Sequence, residues 1–207
     1  MLRIKGTPVL SVDTNHPRKA DTRFAAAVLL NGGVVAIPTD TVYGLAVDAR
    51  NPSAIKRLYA LKGREPKKPL ACLLAYREQM LALSAQVPET AWELAKEHWP
   101  GALTLVVPSA PWVPTELTSG LGSVGLRYPN CPLVWELIEA VGWPLAATSA
   151  NFSGKPAAAE GSSVIRDWAG RVDLILDGGH CVNSRESTVA AIQGNKVKIL
   201  RQGALQL

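Results

Sequence analysis

The sequence predicts an α/β (α+β) fold in which helices flank a mixed β-sheet. Apolar runs such as residues 34–37 alternate with stretches of helical periodicity such as residues 19–30, which is typical of sheets covered by helices. Near the C-terminus, Gly194-Asn195 separates two strand-like segments, which indicates a hairpin and therefore an antiparallel pair. Crossover helices together with a hairpin favour a sheet that is mixed.

Each element follows from local signals in chain order. Residues 1–17 are polar and contain Pro8, so they predict an arm over the surface. Asn51 suits a helix N-cap, Pro52 the first helical position and Gly63 a helix C-terminus. The predicted helices are 19–30, 52–63, two short ones of which the second is opened by Pro88, 133–141 and 163–168; the predicted strands are 34–37, 42–47, 70–75, 103–107, 124–127, 144–148, 172–176, 187–192 and 196–200.

The length and composition predict a single domain over residues 1–207. Hydrophobic residues make up 47% of the chain and charged residues 19%, and no run approaches the roughly 20 apolar residues of a membrane span. The three cysteines and three histidines are scattered, so their spacing predicts neither a disulfide framework nor a metal site. We therefore expect a cytoplasmic protein without a membrane partner.

A short basic segment carries the positive charge of the whole chain. Residues 50–68 contain seven basic side chains and one acid, a net charge of +6, whereas the whole chain carries +5. The charge is therefore local, and a local field attracts phosphates or nucleic acid. Helix-end chemistry would account for Lys62 and Gly63, and a solvated helix face followed by a loop is the alternative for the whole segment. Phosphate binding also accounts for the cations beyond the helix, which are Arg64, Lys67 and Lys68.

Two small polar side chains, Ser149 and Asn151, follow a predicted buried strand. Ligands bind at strand ends in α/β sheets, so the pair is a candidate binding site, with a local Asx or Ser turn as the alternative. Gly120, Gly122 and Gly125 match the dinucleotide pattern G-x-G-x-x-G, but the segment leads into a strand instead of a helix. The sequence therefore predicts a turn or a substrate loop there, and not a Rossmann nucleotide site.

Seven short segments follow one another along the chain: IPTDTVYGL at 37–45, LKGREPKKPL at 61–70, WPGALTLV at 99–106, VGLRYP at 124–129, TSANFSG at 148–154, ESTV at 186–189 and ILRQG at 199–203. In this order they resemble the YrdC family of threonylcarbamoyl-AMP synthases. The resemblance implies a YrdC-like fold, a twisted open sheet around a deep basic cleft, in the short, single-domain form. It also implies an enzyme that joins L-threonine, bicarbonate and ATP into threonylcarbamoyl-AMP, with release of pyrophosphate, for threonylcarbamoyladenosine formation in tRNA.

The same resemblance implies roles for individual residues. Two anions must meet in this reaction, so cations and positioning should dominate over acid–base groups. Mg²⁺ would bridge phosphate oxygens of ATP, and no carboxylate cluster predicts a metal site formed by the protein alone. The implied threonine contacts are Thr41, Arg127, Ser149 and Ser187; the ATP contacts are Arg64, Lys68, Ser123, Asn151 and Arg201; the catalytic group is Lys62, Arg64, Ser149 and Asn151.

Two departures from the family pattern concern the ATP side. Three alanines at 157–159 stand where many relatives carry a Ser-Pro-Thr-like stretch, which removes a hydroxyl contact to ATP. Lys68 stands where relatives often have a small polar residue, and its charge would tighten phosphate binding or serve RNA.

The implied partners are tRNA or double-stranded RNA and downstream threonylcarbamoyl-transfer proteins. Two other functions stay open: a non-catalytic module that binds double-stranded RNA or tRNA, and a relative that adenylates plain carbamoyl groups.

Overall fold

The computed structural model describes residues 1–63, 65 and 68–207, and the strands in this part of the chain form one mixed sheet. β2 and β3 lie parallel to β9, β5 to β7 and β6 to β10, whereas the other neighbouring strands are antiparallel. The order across the sheet is β1-β2-β9-β3-β4-β8-β5-β7-β6-β10-β11, which confirms the predicted mixed sheet. The strands are β1 (Leu2–Ile4), β2 (Thr7–Ser11), β3 (Val35–Ile37), β4 (Gly44–Asp48), β5 (Ala71–Leu73), β6 (Leu103–Pro108), β7 (Ser123–Arg127), β8 (Leu145–Ser149), β9 (Leu174–Asp177), β10 (Thr188–Gln193) and β11 (Lys196–Arg201).

Helices flank the sheet, as the sequence predicts. In α2, Asn51 Oδ1 accepts a hydrogen bond from Ala54 N at 3.0 Å, Pro52 opens the helix, and Gly63 ends it with a left-handed φ of 57°. No helix of the described chain is long and apolar enough to cross a membrane. The helices are α1 (Lys19–Leu30), α2 (Pro52–Lys62), α3 (Met80–Leu83, after a 3₁₀ turn at Arg77–Gln79), α4 (Glu89–His98), α5 (Thr115–Thr118), α6 (Pro132–Val141) and α7 (Gly161–Trp168).

The N-terminal segment differs from its prediction. Instead of an irregular arm, β1 and β2 form an antiparallel pair, and β2 lies parallel to β9 with Val9 opposite Ile175. Thr7 Oγ1 also donates to Val172 O at 2.8 Å. Local sequence does not announce these strands because their pairing partner lies far along the chain and Pro8 is more typical of turns and strand edges.

The glycine-rich segment agrees with its prediction. The residues after Gly122 form β7, a strand in the middle of the sheet, and no helix follows the glycines directly. Gly120 and Gly122 have positive φ angles of 72° and 63°, as expected of a turn in which glycine is favoured. The rejection of a Rossmann loop is therefore confirmed.

The two faces of the sheet are covered unequally. On one face, apolar residues of α2, α4, α5 and α7 pack in a single large core. On the other face, α1 and α6 pack together over strands β3, β4, β8 and β9, and Ala25 and Leu29 share one buried core with Leu133 and Leu137. The neighbouring strands β5, β7, β6 and β10 continue that second face beyond these helices. The fold therefore leaves a place for a cleft over half of one face.

Candidate active site

The part of the sheet that α1 and α6 leave uncovered carries small side chains. Ala147 belongs to the core that α1 and α6 cover, so it marks the face of the sheet on which these helices lie. Residues paired directly across neighbouring strands share a face, so the cross-strand partners of Ala147 lie on that face too. A cavity of about 320 Å³ lies over this row. Short side chains thus make its floor and leave room for a ligand. The row of partners, from β8 through β5 and β7 to β6, consists of Ala147, Ala71, Gly125 and Val106.

Polar side chains surround this floor, mostly at the ends of strands. They come from distant parts of the sequence, and the sheet order brings them together. Six of the residues predicted from the sequence line the cavity: Thr41, Ser123, Arg127, Ser149, Ser187 and Arg201. The six residues are therefore close enough to act on one ligand, while the role of each residue stays a prediction.

Arg127, the last residue of β7, is held by three hydrogen bonds. Nε donates to Gly101 O at 3.1 Å, Nη1 to Thr41 Oγ1 at 2.7 Å and Nη2 to Asp40 Oδ1 at 2.5 Å. Only 6% of the residue is exposed. Burial lowers the pKa of the guanidinium, and the Asp40 carboxylate acts in the opposite direction. The cavity therefore has a buried, fixed cation on its wall, beside a hydroxyl group.

Ser187 and Arg201 form a second polar group on the cavity wall. Arg201 donates to Ser187 O through Nη2 at 2.9 Å and Nε at 3.2 Å, and its Nη1 lies 2.9 Å from Glu186 Oε1. Ser187 Oγ lies 2.8 Å from Thr104 Oγ1. The nearby charge of Arg201 also lowers the pKa of Arg127, by less than burial does. Two guanidinium groups thus share one cavity, and an anion between them would offset their repulsion.

The two segments that the sequence singles out meet at the end of β8. Lys62, the last residue of α2, is only 3% exposed, and its Nζ donates to Ser149 O, to Thr148 Oγ1 at 3.3 Å and to Asn151 Oδ1 at 3.2 Å. Ser149 Oγ donates to the same Asn151 Oδ1 at 2.6 Å. Lys62 and Asn151 do not line the cavity themselves. Lys62 instead fixes the loop that presents Ser149 to it.

Three of the seven basic residues in the 50–68 window are paired with acidic side chains. Lys68 is exposed, and its carbonyl accepts a hydrogen bond from Tyr59 Oη at 2.9 Å. The predicted phosphate ligand Arg64, and Lys67, lie outside the described residues. The net charge of +6 therefore overstates the field that this surface presents. The ion pairs are Arg50 with Asp48 at 2.7 Å, Lys56 with Glu116 at 3.1 Å and Arg57 with Asp173 at 2.6 Å.

Carboxylates near the cavity are engaged by arginines. Asp40 binds Arg127, and Glu186 binds Arg201. Within residues 1–63, 65 and 68–207, no group of three or more His, Cys, Asp or Glu side chains could hold a metal ion. A cation at this site would therefore need most of its ligands from a bound substrate.

Sequence reasoning misses several polar residues of the site. Thr39 and Thr104 line the cavity, and Thr39 Oγ1 lies 3.0 Å from Thr41 Oγ1. Asp40 and Glu186 are the carboxylate partners of the two cavity arginines. All four residues fall inside segments that carry the family resemblance, so the resemblance is the signal that could have found them. Their residue types alone do not distinguish them from their neighbours.

A mixed sheet with one half-open face defines an α/β protein with a cleft, and two arginines line that cleft over a floor of small residues. A protein-family model named for Sua5, YciO and YrdC, and described as telomere recombination, matches residues 27–203. The chain therefore belongs to the Sua5/YciO/YrdC family. The family resemblance and the YrdC-like fold predicted from the sequence are confirmed.

Several relatives cover most of this chain. Curated proteins named threonylcarbamoyl-AMP synthase from Pyrococcus abyssi and Bacillus subtilis are each 42% identical to it, over 89% and 94% of this chain respectively. A solved structure of P. abyssi Sua5 complexed with L-threonine is 39% identical, with a TM-score of 0.92 over 95% of this chain and 58% of that one. The chain spans about half the length of the two curated relatives, 54% and 56%.

Proposed function

We propose that the chain is an L-threonylcarbamoyladenylate synthase, a nucleotidyltransferase that converts L-threonine, bicarbonate and ATP into threonylcarbamoyl-AMP and pyrophosphate. The observation that carries the proposal is the presence of two arginines, Arg127 and Arg201, on the wall of one cavity. Each already binds a carboxylate of the chain, which is the chemistry that a substrate carboxylate or phosphate would use. The names of the relatives and the threonine complex of the P. abyssi protein support the same reaction.

The amino acid binds at the buried end of the cavity. Arg127 pairs with the threonine carboxylate, because a guanidinium fork matches the two carboxylate oxygens. Thr41 and Ser187 offer hydroxyl groups on the same wall. Ser149 lies at the end of β8, where Lys62 fixes its backbone carbonyl, and this residue marks the junction with the nucleotide.

The nucleotide binds towards the exposed end. Arg201 and Ser123 line this part of the wall, and Lys68 and Arg64 belong to the segment that follows α2. The threonine amine first attacks bicarbonate and water leaves, which gives a carbamate. A carbamate oxygen then attacks the α-phosphorus of ATP, and the bond from that phosphorus to pyrophosphate breaks. The protein supplies cations and orientation for the meeting of two anions. This fits the described lining of the cavity, which contains no nucleophile hydrogen-bonded to a histidine base.

Magnesium would enter with ATP. The donor set fits this arrangement, because Asp40 and Glu186 are paired with arginines and the phosphate oxygens supply the ligands that Mg²⁺ prefers. When bound, the ion neutralises part of the triphosphate charge. The residues of the chain then orient the phosphates through Arg201 and the basic segment.

Pyrophosphate release tests the proposal directly. The protein is incubated with ATP, Mg²⁺, bicarbonate and isotopically labelled L-threonine, and both pyrophosphate and the labelled adenylate are measured. We expect pyrophosphate release that requires threonine and bicarbonate, with one labelled adenylate per pyrophosphate. Release that is independent of threonine but needs carbamoyl phosphate would instead identify a carbamoyl-adenylating relative. Absence of both activities would overturn the proposal.

A non-catalytic RNA-binding function is less well supported by the surface. Among the basic residues of the 50–68 window that the structure describes, three are paired with acids and Lys62 is buried, which reduces the charge that these residues offer to a phosphate backbone. RNA enters the proposal as the destination of the product: a cytoplasmic transfer step, carried out with other proteins, would move the threonylcarbamoyl group to tRNA. A salt-dependent RNA affinity that ATP does not compete with would favour the binding module instead.

A further inference from the structure

The partners of Arg127 point to a residue that prepares the amino-acid end of the cleft. A guanidinium has five N–H groups in one plane. In the described structure Gly101 O, Thr41 Oγ1 and Asp40 Oδ1 accept three of them, from Nε, Nη1 and Nη2 respectively. One N–H remains on each terminal nitrogen, and a pair of this kind can bind both oxygens of one carboxylate.

Asp40 stands behind Arg127 and is itself fixed. Its side chain is 7% exposed and it does not line the cavity. Its backbone carbonyl accepts hydrogen bonds from Asn183 N at 3.1 Å and from Asn183 Nδ2 at 2.8 Å. The backbone of Asp40 is therefore held by the loop between β9 and β10, and its carboxylate accepts from Nη2 of Arg127 without lining the cavity.

We propose that Asp40 is a positioning residue for substrate binding: it holds Nη2 of Arg127 so that the remaining N–H pair addresses the α-carboxylate of the amino acid. The proposal rests on the function proposed above. Asp40 is negatively charged, so by charge alone its removal would favour a substrate carboxylate. A loss of threonine affinity on its removal would therefore show that orientation outweighs charge.

The chain provides a matched control for this proposal. Asp48 has the same burial, with 8% of its side chain exposed, and binds Arg50 at 2.7 Å on the same sheet, but neither residue lines the cavity. Both pairs join a buried carboxylate to an arginine. Arg50 is 46% exposed and Arg127 8%, so Asp48→Asn controls for the loss of a buried carboxylate, and the larger folding cost expected in the Asp40 variants is measured by their Tm.

The experiment measures the KM values for threonine and for ATP in wild type, Asp40→Ala, Asp40→Asn and Asp48→Asn, below the Tm of each. Loss of one charge-assisted hydrogen bond should raise the threonine KM of Asp40→Ala at least about tenfold. Asp40→Asn keeps the shape and an acceptor, so its threonine KM should rise less; it also tests the proposal if the alanine variant does not fold. The ATP KM should change less than about twofold, and Asp48→Asn should leave both KM values unchanged.

The outcomes separate the two proposals. An unchanged threonine KM in the Asp40 variants, an equal rise in both KM values, or the same shift in Asp48→Asn would overturn the positioning role while the synthase stands. Wild-type protein that neither releases pyrophosphate with threonine nor binds threonine in calorimetry would instead overturn the proposed function itself.

Discussion

The two ends of the cleft are built differently. Arg127 is 6% exposed and three hydrogen bonds fix its plane. Arg201 leaves 42% of its side chain exposed on the edge strand β11 and is held by Ser187 O and one carboxylate. One end is therefore buried and fixed within the fold, whereas the other is open to solvent.

This difference matches the demands of the two proposed substrates. A small amino acid offers few contacts, so its affinity depends on side chains that are already ordered in the folded protein and lose little entropy on binding. A triphosphate carries several charges and is attracted by mobile cations over a longer range. Burial of Arg127 with Asp40 costs desolvation in the fold, while the exposed pair of Arg201 with Glu186 contributes little to stability.

The largest effect should come from the shape of the buried cation. Arg127→Lys keeps the charge but loses the planar fork and the contacts that Nε and Nη1 make to Gly101 and Thr41. We expect the threonine KM to rise at least about 100-fold, because several charge-assisted hydrogen bonds are lost, with the ATP KM nearly unchanged. Steady-state pyrophosphate release measures both. A variant with wild-type threonine KM would contradict the idea that the buried end selects by geometry.

The next effect should appear where the two ends meet. Lys62→Met removes the donor shared by Thr148 Oγ1, Ser149 O and Asn151 Oδ1, so the loop that carries Ser149 loses its anchor. A small displacement of reacting groups costs roughly 10- to 100-fold in rate, so kcat should fall by that amount while both KM values rise less. Lys56→Met, on the same helix but 69% exposed, is the control and should keep wild-type kcat.

The parts of the fold that could be predicted are those with local sequence signals, such as the two ends of α2. Asn51, Pro52 and Gly63 delimit α2 through their own backbone preferences, and each has the predicted place in the structure. The strand β2 could not be predicted in this way, because its pairing depends on Ile175 in a distant strand. Helix ends are therefore predictable from local sequence, whereas a short strand such as β2 depends on the partner that the fold brings beside it.

The same distinction applies to the site. The segments containing Thr41, Arg127 and Ser149 could be predicted because the family resemblance lies in them. The pairing of Arg57 could not be predicted, because its partner Asp173 lies far along the sequence. A count of charges in one window cannot include acids that folding brings beside it.

A smaller effect should follow from a change at the exposed end. Arg201→Ala should raise the ATP KM about tenfold, the cost of one charge-assisted contact, and leave the threonine KM within about twofold. Arg57→Ala removes an arginine of equal exposure, 42%, that is also ion-paired but lies outside the cavity. That control should keep both KM values. A rise in the threonine KM of Arg201→Ala comparable to that for ATP would mean that the two ends are not separate.

The smallest effect should lie outside both ends and appear in stability. Asp173 accepts hydrogen bonds from Val34 N at 2.7 Å and from Arg57; burial raises its pKa, but these bonds outweigh burial and the pKa is lowered below 3.8. A carboxyl group with a lowered folded-state pKa stabilises the fold above its unfolded pKa and loses that contribution as pH falls through the folded value. Asp173→Asn should therefore lose about 1 kcal/mol at neutral pH, and the difference from wild type should shrink below about pH 4. Urea denaturation across that range measures it. A difference that stays constant with pH would assign the loss to packing, and altered KM values would show that the cleft is sensitive to a contact remote from both of its ends.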